Sequence, residues 1–389
     1  MLQVGYKRVM RPAPIRTDGS NAFAHFSMAV RVPRILEEVI ERNPDYPAPI
    51  VAAIRELIEE IRANAPVPPL GYPAPDAGEW ENEMAGQRWL ATDWFFAECY
   101  VYRCLTAATR YWESGRDPFG PAKREDLASA RLWTGLQTVL DREPEDPRER
   151  IRSLLGLALW GNRVDLSYAV GTAFGAVGAN DDLLVDDRDW AVDRLLTPRA
   201  DVHIVADNTG SELSMDLVLA DALISLVGAR ISLHVKMHPM FVSDALADDV
   251  WSLLSAMRAR GGASAELGSR LWRAFADGRL RVWPDSFWNG PRFLWDCPAR
   301  IAGALDGASM VIFKGDANYR RVIGDALWPA GTSFAESTSY FPTPALCLRT
   351  MKSDALVGLP EGLVTELDRA DRDWRLNGRR GIIQGSGEP

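Results

Sequence analysis

Three oxygen-bearing side chains, Asp207, Asn208 and Glu212, fall within six positions directly after the apolar run Val202 to Ala206. Carboxylate and amide oxygens at the carboxyl end of a buried strand are the donors a hard divalent cation takes. A fourth oxygen donor, Asp244, follows a second apolar run, Ile231 to Met237. No His or Cys accompanies these residues at metal-ligand spacing, which favours Mg²⁺ or Mn²⁺ over a structural zinc. Asp, Asn and Gly are also the usual turn and helix-cap residues, so Asp207-Asn208-Thr209-Gly210 taken alone reads equally as a turn into a helix.

Cations follow the same pattern. Lys236 ends the second run, Lys314-Gly315-Asp316 ends the run Ser309 to Phe313, and Arg349 and Lys352 end Ala345 to Leu348. A lysine with a backbone turn at a helix N-terminus makes an anion site. A phosphate carrying about −1.5 to −2 charge matches a divalent cation plus two or three such groups, with Lys314, Lys352 and Arg320 as the candidates. Other chemistries lack their residues. His234 and His238 do not share a helix face on a strand-and-turn reading. There is no His-Glu-x-x-His, Gly-x-Ser-x-Gly or Walker loop, and only one glycine follows the first strand.

The elements that must position these groups change period along the chain. Val32 to Arg42, Pro49 to Ala63, Thr92 to Trp112, Lys123 to Leu140 and Pro147 to Trp160 carry apolar residues at helical spacing. Pro66 to Pro73 is too proline-rich for helix or central strand. In the second half, short apolar runs at Val202–Ala206, Ile231–Met237, Leu280–Trp283, Ser309–Phe313 and Ala345–Leu348 alternate with helical stretches at Leu213–Val227, Asp249–Arg260, Ala265–Ala276, Ala299–Leu305 and Ala317–Leu327. The expected fold is α/β: an all-helical domain over residues 1–195, then a Rossmann-like α/β/α domain with a mostly parallel sheet over 196–389. In such a sheet all the charged strand ends converge on one edge, where ligands bind.

At 389 residues the chain can fill two cores, and its net charge of −9 speaks against nucleic acid or an anionic membrane as partner. Four scattered cysteines form no disulfide framework, Met1-Leu2-Gln3-Val4-Gly5 opens no apolar h-region, and no 18-residue apolar run occurs. A cytoplasmic location is expected, and the oligomeric state is left open.

Taken in order, the segments Asp207 to Glu212, Lys236 to Asp244, Phe313 to Arg321 and Arg349-Thr350-Met351-Lys352 resemble the damage-control phosphatases. The likeness is to their metal-dependent carbohydrate-phosphate branch, subfamily III, also described as acidic-residue protein methyltransferases. Trp94 to Tyr100 and Leu159 to Ser167 extend it over nearly the whole chain. The resemblance implies that Asp207, Asn208 and Asp244 hold the metal, with Glu212 in the same site. It also implies that Asp316, Asn318, Tyr319, Arg320, Arg349 and Lys352 meet the substrate. Thr209 stands where alanine is common and Met240 where tryptophan is common.

The function expected is a divalent-metal-dependent phosphatase for small phosphorylated metabolites, sugar phosphates such as fructose 1-phosphate or fructose 6-phosphate. Mn²⁺ or Mg²⁺ is the expected cofactor, with Co²⁺ or Ni²⁺ possible. Asp207, Asn208, Glu212, Asp244, Lys314 and Lys352 form the expected catalytic set. Glu98 and Asn162, from the helical half, are placed on the substrate's hydroxyl end. Two rivals stand beside this reading. An S-adenosylmethionine-dependent carboxyl methyltransferase would need a glycine-rich cofactor loop after the first strand, and this sequence has none there. A non-catalytic phosphometabolite-binding paralogue would not need the intact Asp207, Asn208, Asp244 and Lys352.

Overall fold

A computed structural model describes residues 11–70, 74–80, 86–161, 182–329 and 331–387. Asn162 lies outside them, as do Arg163 to Asp165.

A seven-stranded sheet organises the molecule. Its strands are β1 (Leu183–Asp186), β2 (Asp201–Val205), β3 (Arg230–Val235), β4 (Leu280–Pro284), β5 (Met310–Lys314), β6 (Ala345–Thr350) and β7 (Gly381–Ser386), in the order β1-β7-β6-β5-β2-β3-β4. All pairs are parallel except β6–β7. The five expected strands form β2 to β6. β1 and β7 were not expected.

The chain winds from β2 through β3 to β4 on one side, then returns to build β5 and β6 on the other. β2 is therefore the switch point, and the crevice past the carboxyl ends of β2, β3 and β5 is where such sheets bind ligands. β2, β3 and β5 are buried almost throughout, as strands covered on both faces must be.

Two hydrophobic clusters lie on either side of the sheet. One joins β5 and β6 to the helices Val32–Arg42, Ala48–Arg62 and Trp94–Ala108. The other joins β2 and β3 to the helices Ala130–Asp141, Pro147–Trp160 and Ser211–Val227. Each cluster mixes residues from before and after position 195, and β1 itself precedes it, so packing shows no seam there.

Several helices are shorter than their periodicity predicts. The expected Thr92–Trp112 helix is Trp94–Ala108 followed by Tyr111–Ser114, because Arg110 is left-handed at φ 54°. Lys123–Leu140 breaks at Ser129, whose hydroxyl caps the second piece by accepting from Leu132 N. The stretch expected from Ala317 to Leu327 begins at Gly315 and stops at Ile323, ended by left-handed Gly324.

Among the described residues no helix is long and apolar enough to cross a membrane.

Candidate active site at the sheet switch point

β2 carries the chain up to Asp207 and Asn208, and the helix Ser211–Val227 starts straight after. The loop after β3 folds back alongside. Ala245 N donates to Asp207 O (2.8 Å), Thr209 N to Ser243 O (2.7 Å), and Asn208 bridges to Asp244. This brings Asp244 beside Asp207 and Asn208. The turn that does so holds Phe241 and Val242 at φ 45° and 69°, a region that a β-branched residue enters only at a cost of about 1–3 kcal/mol.

On the other side, the helix Gly315–Ile323 begins almost on top of Asp207. A Cβ at Gly315, which has φ +81°, would fall 2.0 Å from Asp207 Oδ2. Only glycine permits that approach.

A cleft of about 120 Å³ opens between these strand ends and the N-terminal helices. Asp207, Asn208, Asp244, Asp316, Arg320, Lys352 and Glu98 line it, all expected from sequence. So do Ser27, Arg31 and Tyr102, which were not. Arg31 ends a π-helical segment, Ser27–Arg31, between the helices Ala22–Phe26 and Val32–Arg42. Such a segment shifts the helix phase, leaving Phe26 and Val30 exposed.

Beneath the cleft lies a hydrogen-bonded set of buried charges. Asn208 Nδ2 donates to Asp207 Oδ2 (2.7 Å) and Glu212 Oε2 (2.9 Å), while Ser243 Oγ donates to Asn208 Oδ1 (2.5 Å). Lys314 Nζ donates to Glu212 Oε1 (2.9 Å) and lies 2.8 Å from Asp216 Oδ1. Lys236 Nζ donates to Trp288 O (2.8 Å) and stands 3.5 Å from Asp244 Oδ2.

Lys314, expected to hold phosphate, is thus a fully buried counter-ion below the cleft. Three other expected substrate contacts also lie away from it. Tyr319 is fully buried and donates its hydroxyl to Gln384 Oε1. Asn318 Nδ2 donates to the carbonyls of Lys314 and Ala206, tying its helix to β2 and β5. Arg349 clamps the loop after β6 through Ser353 O and Ala355 O, and donates to Asp316 Oδ1 (2.7 Å).

Asp316 in turn accepts from Lys352 N (3.3 Å) and Ser353 Oγ (3.0 Å), fixing the turn that carries Lys352. Arg320 does reach the cleft, but its guanidinium is paired with Asp325 and with Glu98 Oε2 (2.7 Å), over the Trp94 ring.

The electrostatics are those of an under-neutralised pocket. Burial, then the charges of Glu212 and Asp244, push the Asp207 carboxyl well above its usual range. Burial pushes Asp244 up to about 6 despite Lys236. Burial also pushes Asp216 up to about 7. Asp316 differs, because Arg349 and Arg320 outweigh its burial and hold it below the ordinary value.

Among the described residues, the buried carboxylates Asp207, Glu212, Asp216 and Asp244 face the buried ammonium groups of Lys236 and Lys314. Lys352 acts on Asp207, and Lys123 with Lys236 on Asp244, yet burial and mutual repulsion still hold Asp207, Asp216 and Asp244 above their ordinary values. Asp244 Oδ2 lies buried with no hydrogen-bond partner. Two carboxylates and an amide do not make a closed cage, and no group of three His, Cys, Asp or Glu stands ready for a metal among the described residues. An open oxygen set of this size fits a cation that keeps water or takes phosphate oxygens as its remaining ligands.

Fold and site together describe an α/β protein with a carboxylate–amide centre at the switch point of its sheet, closed over by N-terminal helices. Comparison with known proteins gives this class a family. The profile of the damage-control phosphatase ARMT1-like domain matches residues 27–367. The mouse (Mus musculus) protein named Damage-control phosphatase ARMT1 is 29% identical over 97% of this chain and 99% of its own. Its zebrafish (Danio rerio) counterpart is 29% identical over 97% of each. The human protein of that name is 26% identical over 97% of this chain and 99% of its own. A crystal structure of a DUF89 family protein from Pyrococcus horikoshii shares the fold, with a TM-score of 0.51 and 14% identity over 93% of this chain and 96% of that one. The chain belongs to the damage-control phosphatase ARMT1-like family.

Proposed function

We propose that this phosphatase-family chain is a divalent-metal-dependent phosphomonoesterase acting on small phosphorylated metabolites, sugar phosphates first among them. The observation that carries the reading is the buried carboxyl pair Asp207 and Asp244, both raised by burial and with Asp244 Oδ2 lacking a hydrogen-bond partner, beside a cleft with cations on its rim. Asp207, Asn208 and Asp244 would hold the cation. When bound, it would draw charge from phosphoryl oxygens and acidify a coordinated water.

The chain's own groups supply the rest. Phosphoryl transfer spreads negative charge over oxygens, so fixed cations are the main tool available to the protein. Lys352 is the group placed to meet that charge. Its ammonium has no ion-pair partner among the described residues, and its backbone is pinned by Asp316. Arg349 acts at one remove by holding Asp316 and the 351–355 turn. Glu212 keeps the Asn208 amide turned toward it, and Lys314 donates to the other Glu212 oxygen and fixes the carboxylate. Glu98, Arg320 and Tyr102 form the wall opposite the sheet. They narrow the cleft over the centre, and the lower local dielectric strengthens charge interactions in it.

Phosphate release is the test, measured across a phosphometabolite panel including fructose 1-phosphate and fructose 6-phosphate. Mg²⁺, Mn²⁺, Co²⁺ and Ni²⁺ are added in turn to chelator-treated protein. Release that depends on added metal and favours sugar phosphates supports the proposal. Metal-independent release, or none, contradicts it.

A further inference from the structure

We infer that Arg31, carried on the π-helical turn of the N-terminal segment, is a specificity-determining residue that binds the hydroxyl-bearing end of the substrate, away from the phosphate. The inference rests on the reading of the cleft as a phosphomonoester site.

Position comes first. Asn21 Nδ2 donates to Asp354 Oδ2 (2.8 Å), anchoring the start of the first helix beside the turn that carries Lys352. Arg31 lies ten residues further along the helical segment, or about 15 Å at the rise of a helix. Lys352 and Arg31 both line the cleft but come from different elements, the turn after β6 and the N-terminal helical segment. Partnering comes next. The other arginine in the cleft, Arg320, is consumed by Asp325 and Glu98. Arg31 lines the cleft without an ion-pair or hydrogen-bond partner among the described residues.

Chemistry decides what it takes. Arg31 sits close enough to Glu98 and Tyr102 to act on their charge states. Glu98 Oε2 is taken by Arg320, and Oε1 has only a long contact of 3.4 Å from Ser27 Oγ. A guanidinium that only donates, a carboxylate oxygen that only accepts, and two hydroxyls that do both form a complementary set for neighbouring hydroxyl groups. Glu98 and Asp325 offset the positive charge at this end, so it favours a neutral polyol over a second anionic group. A polar group left unpaired by a poorer ligand is costly, which makes such a set discriminating.

The test compares binding of fructose 6-phosphate, as its non-hydrolysable phosphonate analogue, and of inorganic phosphate to Mn²⁺-loaded protein by calorimetry, for wild type, Arg31→Met and Arg31→Lys. Arg31 is exposed, so neither change should disturb folding. Arg31→Met should weaken fructose 6-phosphate by about tenfold or more, with inorganic phosphate changed less than about twofold. Arg31→Lys, which lacks the planar fork, should recover only part of the loss. Equal weakening of both ligands would assign Arg31 to the phosphate and overturn the inference. So would unchanged sugar-phosphate binding in Arg31→Met, or wild-type protein that binds fructose 6-phosphate no tighter than phosphate. Phosphate release is read separately. Arg31-dependent binding without hydrolysis would leave this inference standing and contradict the proposed reaction.

Discussion

Replacing Lys314 by methionine removes the cation shared by two buried carboxylates. Its ammonium lies 2.9 Å from Glu212 and 2.8 Å from Asp216. At an effective dielectric of about 20, each contact represents about 6 kcal/mol of gross attraction. Most of that offsets the desolvation of the three groups, and removing one partner of a buried pair typically costs about 3–5 kcal/mol. The loss should depend on pH. Burial already raises Asp216 to about 7 with Lys314 in place; without that cation it would rise further, so above pH 7 the folded variant holds a proton that folded wild type and the unfolded chain release. Its stability then falls as pH rises toward that raised value. Relative to wild type, the deficit should be largest near pH 8 and shrink on acidification by about 1.4 kcal/mol per pH unit for each proton taken up. Urea titrations of both proteins at pH 8 and pH 6 measure this. Lys314→Met combined with Asp216→Asn should recover part of the deficit. A variant as stable as wild type at pH 8, or a deficit that grows as pH falls, would refute the counter-ion role.

Three further outcomes follow from the same geometry. Lys352→Ala should lose about 2–4 kcal/mol of transition-state stabilisation, falling more on kcat than on KM; steady-state kinetics on a sugar phosphate check this, and unchanged kcat/KM would make the turn merely structural. Val242→Gly should relieve left-handed strain and raise unfolding stability by about 1 kcal/mol, yet weaken Mn²⁺ binding by loosening the turn before Asp244; a destabilised variant with intact metal affinity would be the opposite result. Mn²⁺ affinity should fall as pH drops below about 6, because protons then occupy Asp244, which titrates near that value, and Asp207, which is also raised; a dissociation constant flat from pH 8 to 5 would contradict it.

The central sheet was legible because β2 to β6 are apolar runs separated by helical stretches, and their charged ends fall on one edge for topological reasons. β7 was hidden for a physical reason. It reads Gly-Ile-Ile-Gln-Gly-Ser, and its glycines exist because Trp160 and Trp190 pack against them, leaving no room for a Cβ at Gly381 or Gly385. β1, four residues long at the sheet edge, was lost in an acidic stretch. At the site, Asp207, Asn208 and Asp244 could be placed together from strand ends alone. The roles of Lys314, Tyr319 and Arg349 could not, because spacing tells that a residue follows a strand but not whether its side chain turns into the cleft or beneath it. Arg31 gave no sequence signal, since the π turn that brings it to the cleft shifts the helix phase. Asn162 falls outside the described residues.

The most direct test of the account is Mn²⁺-dependent phosphate release from fructose 6-phosphate by chelator-treated protein, with Asp207→Ala and Asp244→Ala alongside wild type. Wild type should be inactive until Mn²⁺ is added. Asp244→Ala removes the carboxylate 3.5 Å from buried Lys236, so folding of each variant is checked by circular dichroism; the folded variants should remain inactive at Mn²⁺ concentrations that saturate wild type. Wild-type release without metal, or full turnover by either variant at ordinary Mn²⁺, would contradict a cation held between these two carboxylates.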